Sequence, residues 1–192
     1  MMSVMLAAGC GSPAAAAGSS KKETPSAAPV GSGTDVTAIL LEAALAGRTE
    51  LVREAIEHGA DPNAKGADGR TGLLLAAFEG RTETLRVLLE GGARVDDRDT
   101  SGRTALMYAA SGPNPSSVRL LLVWKADPLA VDQVERFTAL MYAAAEGQAE
   151  VVRLLLDQGA DRDMVDVDGD TALDFATQKG HREVVRILSR NE

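Results

Sequence analysis

The chain is poor in the residues from which many functions are built. It has one cysteine among 192 residues, which excludes an intrachain disulfide, a cysteine zinc cluster and a Cys-X-X-Cys redox pair. It has two histidines, and neither sits where a Ser or Cys in an equivalent place could pair with it as a nucleophile. No phosphate-cradling glycine loop is present, and no cofactor is expected. No stretch of 18 apolar residues occurs, so no membrane-spanning helix is expected. Positive charge is also scarce. Residues 1–34 contribute Lys21, Lys22 and Glu23, leaving 18 basic and 27 acidic groups in the other 158, a net of −9. A nucleic-acid partner is therefore disfavoured, because neutralising phosphates needs a basic face. Aromatics are limited to one Trp, two Tyr and three Phe, few enough that each position carries information.

Residues 11–34 are dominated by Ala, Gly, Ser and Pro without apolar periodicity. Such a composition cannot offset the entropy of ordering, and residues 10–34 are expected to form a disordered tether. About 25 flexible residues have a root-mean-square span of roughly 28 Å. Ahead of them, Leu6-Ala7-Ala8-Gly9-Cys10 resembles the lipobox of bacterial lipoproteins. That resemblance implies cleavage before Cys10 and lipid attachment to it. It also implies an outer-membrane, periplasm-facing location, favoured by Gly11 after the cysteine. Residues 1–9 would then be a partial signal peptide, having a short apolar stretch and no Lys or Arg before it. The alternative is an incidental Cys10 in an Ala-rich tail of a cytoplasmic protein.

The remainder repeats itself. Gly59-Ala60-Asp61, Gly92-Ala93-Arg94, Lys125-Ala126-Asp127 and Gly159-Ala160-Asp161 recur at spacings of 33, 33 and 34. Thr71, Thr104, Thr138 and Thr171 recur likewise, opening TGLLLAA, TALMYAA, TALMYAA and TALDFAT. A Thr at a helix start can cap free backbone N–H groups. The pairs Ala43-Ala44, Ala76-Ala77, Ala109-Ala110 and Ala143-Ala144 permit close helix approach. Leu51-Val52-x-x-Ala55-Ile56 and its counterparts form the apolar stripes of second helices.

These motifs resemble the ankyrin repeat over about 155 of the 192 residues. The resemblance implies an all-α solenoid of helix-turn-helix units with β-hairpin fingers. Five units are expected, at 35–67, 68–100, 101–134, 135–167 and 168–190, within a domain of 35–192. The family's Thr-Pro-Leu-His motif is altered throughout. Its Pro is replaced by Gly72, Ala105, Ala139 and Ala172, and its His by Leu74, Met107, Met141 and Asp174. Polar Glu54 and Ser189 interrupt apolar columns at opposite ends, as capping repeats need. A complete array and a monomer are expected.

The resemblance implies a non-catalytic module that binds a protein partner through a concave groove and fingers. One first-helix place reads Glu42, Leu75, Tyr108, Tyr142 and Phe175, an aromatic ladder that either serves recognition or packs between repeats. Phe78 and Glu146 share the groove side. Phe137 falls in a finger, and with Trp124, Val134 and Glu135 it forms a candidate contact cluster in the irregular third repeat. There Pro113 replaces a loop Gly and Lys125 a helix-ending Gly. The row Arg53, Arg86, Arg119, Arg153 and Arg186 is offset by Glu three residues earlier in four of five repeats. Asp161, Asp163, Asp166, Asp168 and Asp170 do not make a calcium loop, since Thr171 and Thr177 stand where its Gly and Glu would be. No metal site is expected, and an acidic finger facing a basic patch is the better reading. The alternatives to a tethered module are an inhibitor or immunity-type protein of a periplasmic enzyme, and an untethered cytoplasmic scaffold.

Overall fold

The computed structural model describes residues 36–189. The lipobox-like segment with Cys10, the expected tether and the last three residues lie outside them. Among the described residues ten α-helices follow one another: α1 Val36–Ala46, α2 Thr49–Glu57, α3 Gly72–Phe78, α4 Thr82–Glu90, α5 Ala105–Ser111, α6 Pro115–Val123, α7 Ala139–Ala145, α8 Ala149–Asp157, α9 Ala172–Lys179 and α10 Arg182–Leu188. Each even-numbered helix packs on the odd one before it. Odd helices also pack on odd neighbours and even on even, giving two stacked layers.

The threonines start the first helices as expected. Thr71, Thr104, Thr138 and Thr171 have extended backbones, and their hydroxyls accept from the amides of Leu74, Met107, Met141 and Asp174 at 3.2–3.4 Å. Each such cap stabilises its helix by about 1 kcal/mol. Although the family's histidine is gone, three caps are reciprocal. Met107 Sδ and Met141 Sδ accept from the Thr104 and Thr138 amides at 3.5 Å, and Asp174 Oδ2 accepts from the Thr171 amide at 2.9 Å. The Thr171 hydroxyl and amide hold the Asp174 carboxyl below the usual range.

The core is the space between the layers and between successive pairs. Leu40, Leu74, Leu88, Leu106, Leu121, Leu140 and Leu155 are fully enclosed there, and the alanine pairs are buried with them. In these two columns Glu54 and Ser189 are exposed, whereas Val87, Leu89, Leu120 and Leu122 are buried.

The loops that return from even to odd helices contain no strand among the described residues, in place of the expected hairpins. Isolated antiparallel bridges join Lys65 to Thr71 and Val131 to Thr138. Single main-chain bonds also cross the arms, from the amides of Gly66, Asp99, Asp132 and Asp166 to the carbonyls of Arg70, Arg103, Phe137 and Asp170. In the third helix pair, Pro113 cannot adopt the positive φ of Gly80 and Gly147, and the chain leaves α5 through an extended Gly112. Pro115 opens α6 at its first turn, where no N–H partner is needed.

Among the described residues two that carry a side chain occupy left-handed turns. Lys125 has φ +68°, in the place of Gly59, Gly92 and Gly159; Arg136 has φ +61°, in the place of Gly69, Gly102 and Gly169. A Cβ in this region costs on the order of 1 kcal/mol. Lys125→Gly and Arg136→Gly should each raise the urea midpoint by about that much stability. A lowered midpoint for either would show that its side chain holds something the turn needs.

Candidate functional site

The first helices set the ladder place four residues after each capping threonine. In α5 that residue is Tyr108, in α7 Tyr142 and in α9 Phe175. The rings form two clusters. Phe78, at the end of α3, meets Tyr108 edge-on with centroids 5.8 Å apart. Phe137 lies 5.5 Å from Tyr142 and 4.9 Å from Phe175, joining two repeats. Phe137 takes the place that Arg103 has one repeat earlier, where the Arg103 guanidinium lies 4.8 Å from the Tyr108 ring centre.

Each tyrosine is tied to a finger through an aspartate. The Tyr108 hydroxyl donates to Asp99 Oδ2 at 2.7 Å, while Asp99 Oδ1 accepts from the amides of Ser101 and Arg103 at 2.8 and 2.9 Å. The Tyr142 hydroxyl donates to Asp132 Oδ2 at 2.9 Å, while Asp132 Oδ1 accepts from the amides of Val134, Glu135 and Arg136 at 2.9–3.0 Å. One carboxylate thus gathers a whole turn and fixes it to the helix layer. Asp166 gathers its turn in the same way, from the Asp168 and Asp170 amides, opposite Phe175, which has no hydroxyl. Ahead of α3 Gly66 holds the aspartate place, and within α3 Leu75 holds the tyrosine place. Sequence reasoning missed these aspartates as a set. The signal was that both tyrosines of the ladder, Tyr108 and Tyr142, have an aspartate at this place, Asp99 and Asp132, whereas Leu75 has Gly66.

The electrostatics follow from burial. Desolvation, then the hydrogen bond to Asp99, push Tyr108 up to about 12. Tyr142 is raised by burial and by Asp132. Burial pushes Asp99 up, but the Tyr108 hydroxyl, the Arg103 amide and guanidinium and the Ser101 amide outweigh it, and its pKa is lowered.

The candidate contact residues differ in exposure. Tyr108 is buried at 7 % exposure, with Phe78 and Arg103 against its ring, which is the packing alternative for the ladder. Tyr142, Phe137 and Phe175 are half-buried. Phe78 is 51 % exposed, and Val134, Glu135, Glu146 and Trp124 are also exposed. Val134 and Glu135 stand together at a fingertip. Trp124 closes α6 and joins neither ring cluster.

The remaining singled-out groups are engaged in structure. His58 Nδ1 lies 2.7 Å from the Glu54 carbonyl oxygen, and His181 Nε2 lies 3.0 Å from that of Ala145. His181 leans on Gly147, where an added Cβ would come within 2.6 Å of its ring. Arg53, Arg86 and Arg186 pair with the glutamate three residues earlier, but Arg153 reaches Glu183 of the next repeat at 2.6 Å and Arg119 reaches Glu150 at 4.0 Å. Among the described residues no three His, Cys, Asp or Glu side chains converge as a metal would require.

Stacked helix pairs, threonine-capped first helices and carboxylate-gathered turns define a solenoid repeat protein. The chain belongs to the ankyrin-repeat family: the profile for ankyrin repeats (3 copies) matches residues 40–132 and 113–192. No curated protein matches it. Ankyrin repeats are protein–protein interaction modules, and the family is typically non-catalytic.

The two tyrosines are the chain's only ones, so their ionisation can be followed by ultraviolet absorbance. Both should titrate above the ordinary value of about 10, Tyr108 at about 12. A raised folded-state value means that the stability it contributes is complete below pH ~10 and is lost as pH rises through the folded values. Tyr108→Phe and Tyr142→Phe should each cost about 1 kcal/mol at neutral pH and weaken the alkaline loss. Ordinary ionisation near 10 in the folded chain would contradict the aspartate–tyrosine ties.

Proposed function

We propose that this chain is a membrane-tethered bacterial ankyrin-repeat lipoprotein. Its five repeats, with the bounds expected from sequence, bind a protein partner through the concave groove and the fingers. The observation that carries the binding reading is Phe78: a large ring, half exposed, seated edge-on against buried Tyr108 at the end of α3. An aromatic held in place but left open to water is an anchor of the kind on which partner affinity concentrates. The gathered turns support the same reading, because a fixed contact surface loses less entropy on binding. The polar ends Glu54 and Ser189 favour a monomer.

The tether rests on sequence. Residues 6–10 resemble the lipobox, and the following segment has a linker's composition. A cysteine bearing two or more acyl chains anchors stably, whereas one chain binds weakly and reversibly. The acyl group would place the module at the periplasmic face of the outer membrane.

Two measurements test the two halves. Expressed with its full upstream signal, the wild type should label with a fatty-acid probe and Cys10→Ala should not. Equal labelling, or none in either, would leave the untethered scaffold. In a pull-down from envelope extract, the wild-type chain should hold a protein that Phe78→Ala, checked as folded by circular dichroism, holds at least tenfold less well. If both chains hold the same proteins equally, the Phe78 surface is not the contact.

A further inference from the structure

Exposed aliphatic side chains gather on two adjacent fingers. Val134 is 60 % exposed, Val167 52 % and Val165 44 %. The fingers touch through the main chain: the Val167 amide donates to the Glu135 carbonyl at 3.1 Å. Val165 lies two residues before Val167, within about 7 Å along the chain. These tips are held, not loose, since the Asp132 and Asp166 carboxylates gather the turn amides beneath them.

The charge around the valines is unbalanced. Glu135, Asp163 and Asp168 are exposed, and none forms an ion pair among the described residues. On the helix backs, by contrast, Glu50, Glu83, Glu150 and Glu183 are all paired with arginine. The same two fingers offer Arg136 and Arg162, and Arg162 donates to the Leu188 carbonyl at 3.3 Å.

We propose that this fingertip pair docks a segment of a partner protein that carries aliphatic side chains bordered by Lys or Arg. The proposal rests on the binding-module reading and narrows the partner's chemistry. An apolar segment without cations would desolvate three unpaired carboxylates. A basic segment without aliphatic groups would leave the valines in water. Anionic surfaces, whether lipid or nucleic acid, are repelled. Only a segment with both features fills the surface.

The test uses the full chain and three synthetic peptides of equal length, alternating Lys-Val, Lys-Gly and Glu-Val, followed by fluorescence anisotropy. The Lys-Val peptide should bind, and more weakly as salt rises. Lys-Gly and Glu-Val should bind at least tenfold less well. Val134→Ser with Val167→Ser should lose at least tenfold for Lys-Val, with circular dichroism unchanged. Glu135→Gln with Asp163→Asn and Asp168→Asn should weaken binding and flatten its salt dependence. No binding of Lys-Val, equal binding of Lys-Gly, or binding indifferent to the valine substitutions overturns the proposal. A natural partner still held by the Val134→Ser, Val167→Ser chain overturns the fingertip surface and leaves the module reading standing. A wild-type chain that holds no partner at all sinks that reading instead.

Discussion

The contact on which the rest depends is alanine against neighbouring helix. Ala43, Ala44, Ala76, Ala77, Ala109, Ala110, Ala143, Ala144 and Ala176 are all at 1 % exposure or less, on helices that pack in sequence from α1 to α9. A larger side chain there would push successive helix pairs apart. The close spacing then sets every longer-range bond of one-repeat period. Thr49 meets Thr84 and Thr82 meets Ser117 across the second layer. The Gln133 amide reaches the Ser101 carbonyl, and the Lys65 ammonium reaches the Arg98 carbonyl, across the turns. A single helix pair could not bury its own faces, so the array stands by stacking.

Polar side chains then connect that stack to its turns. Ahead of α5 and α7 an aspartate ties the turn amides to a tyrosine of the helix that follows, and burial makes those bonds costly to break. The turns ahead of α5, α7 and α9 are therefore held by side-chain bonds, although the described residues hold no strands there. Val134 and Val167 stand exposed on turns whose amides are held by Asp132 and Asp166. The proposed contact surface and the stability of the turn meet at one carboxylate: Asp132 holds the turn to which Val134 and Glu135 belong.

Much of this was legible in the sequence because the period is strict. The recurring threonines gave the helix starts and the alanine pairs the layer contact. What escaped depends on geometry between columns. Methionine sulfur taking the histidine's part at Thr104 and Thr138 is invisible to a motif, since Met reads as core. The aspartate–tyrosine ties join residues nine or ten apart, outside any helical or strand period. Arg153 choosing Glu183 over Glu150 depends on how far the next repeat is offset, which sequence does not carry. Arg136 in a left-handed turn was hidden by the extra residue in its finger, which shifted the column where a glycine would be sought.

Amide hydrogen exchange along the whole chain probes this stacking most directly. Stability that comes from neighbours requires the slowest exchange in α3 to α8, with faster exchange toward α1 and α10. The amides of Val134, Glu135 and Arg136 should also be protected, although their side chains face water, because Asp132 holds them. Exchange that is uniform along the array, or unprotected amides at that turn, would contradict an array built on stacked alanines and carboxylate-held fingers.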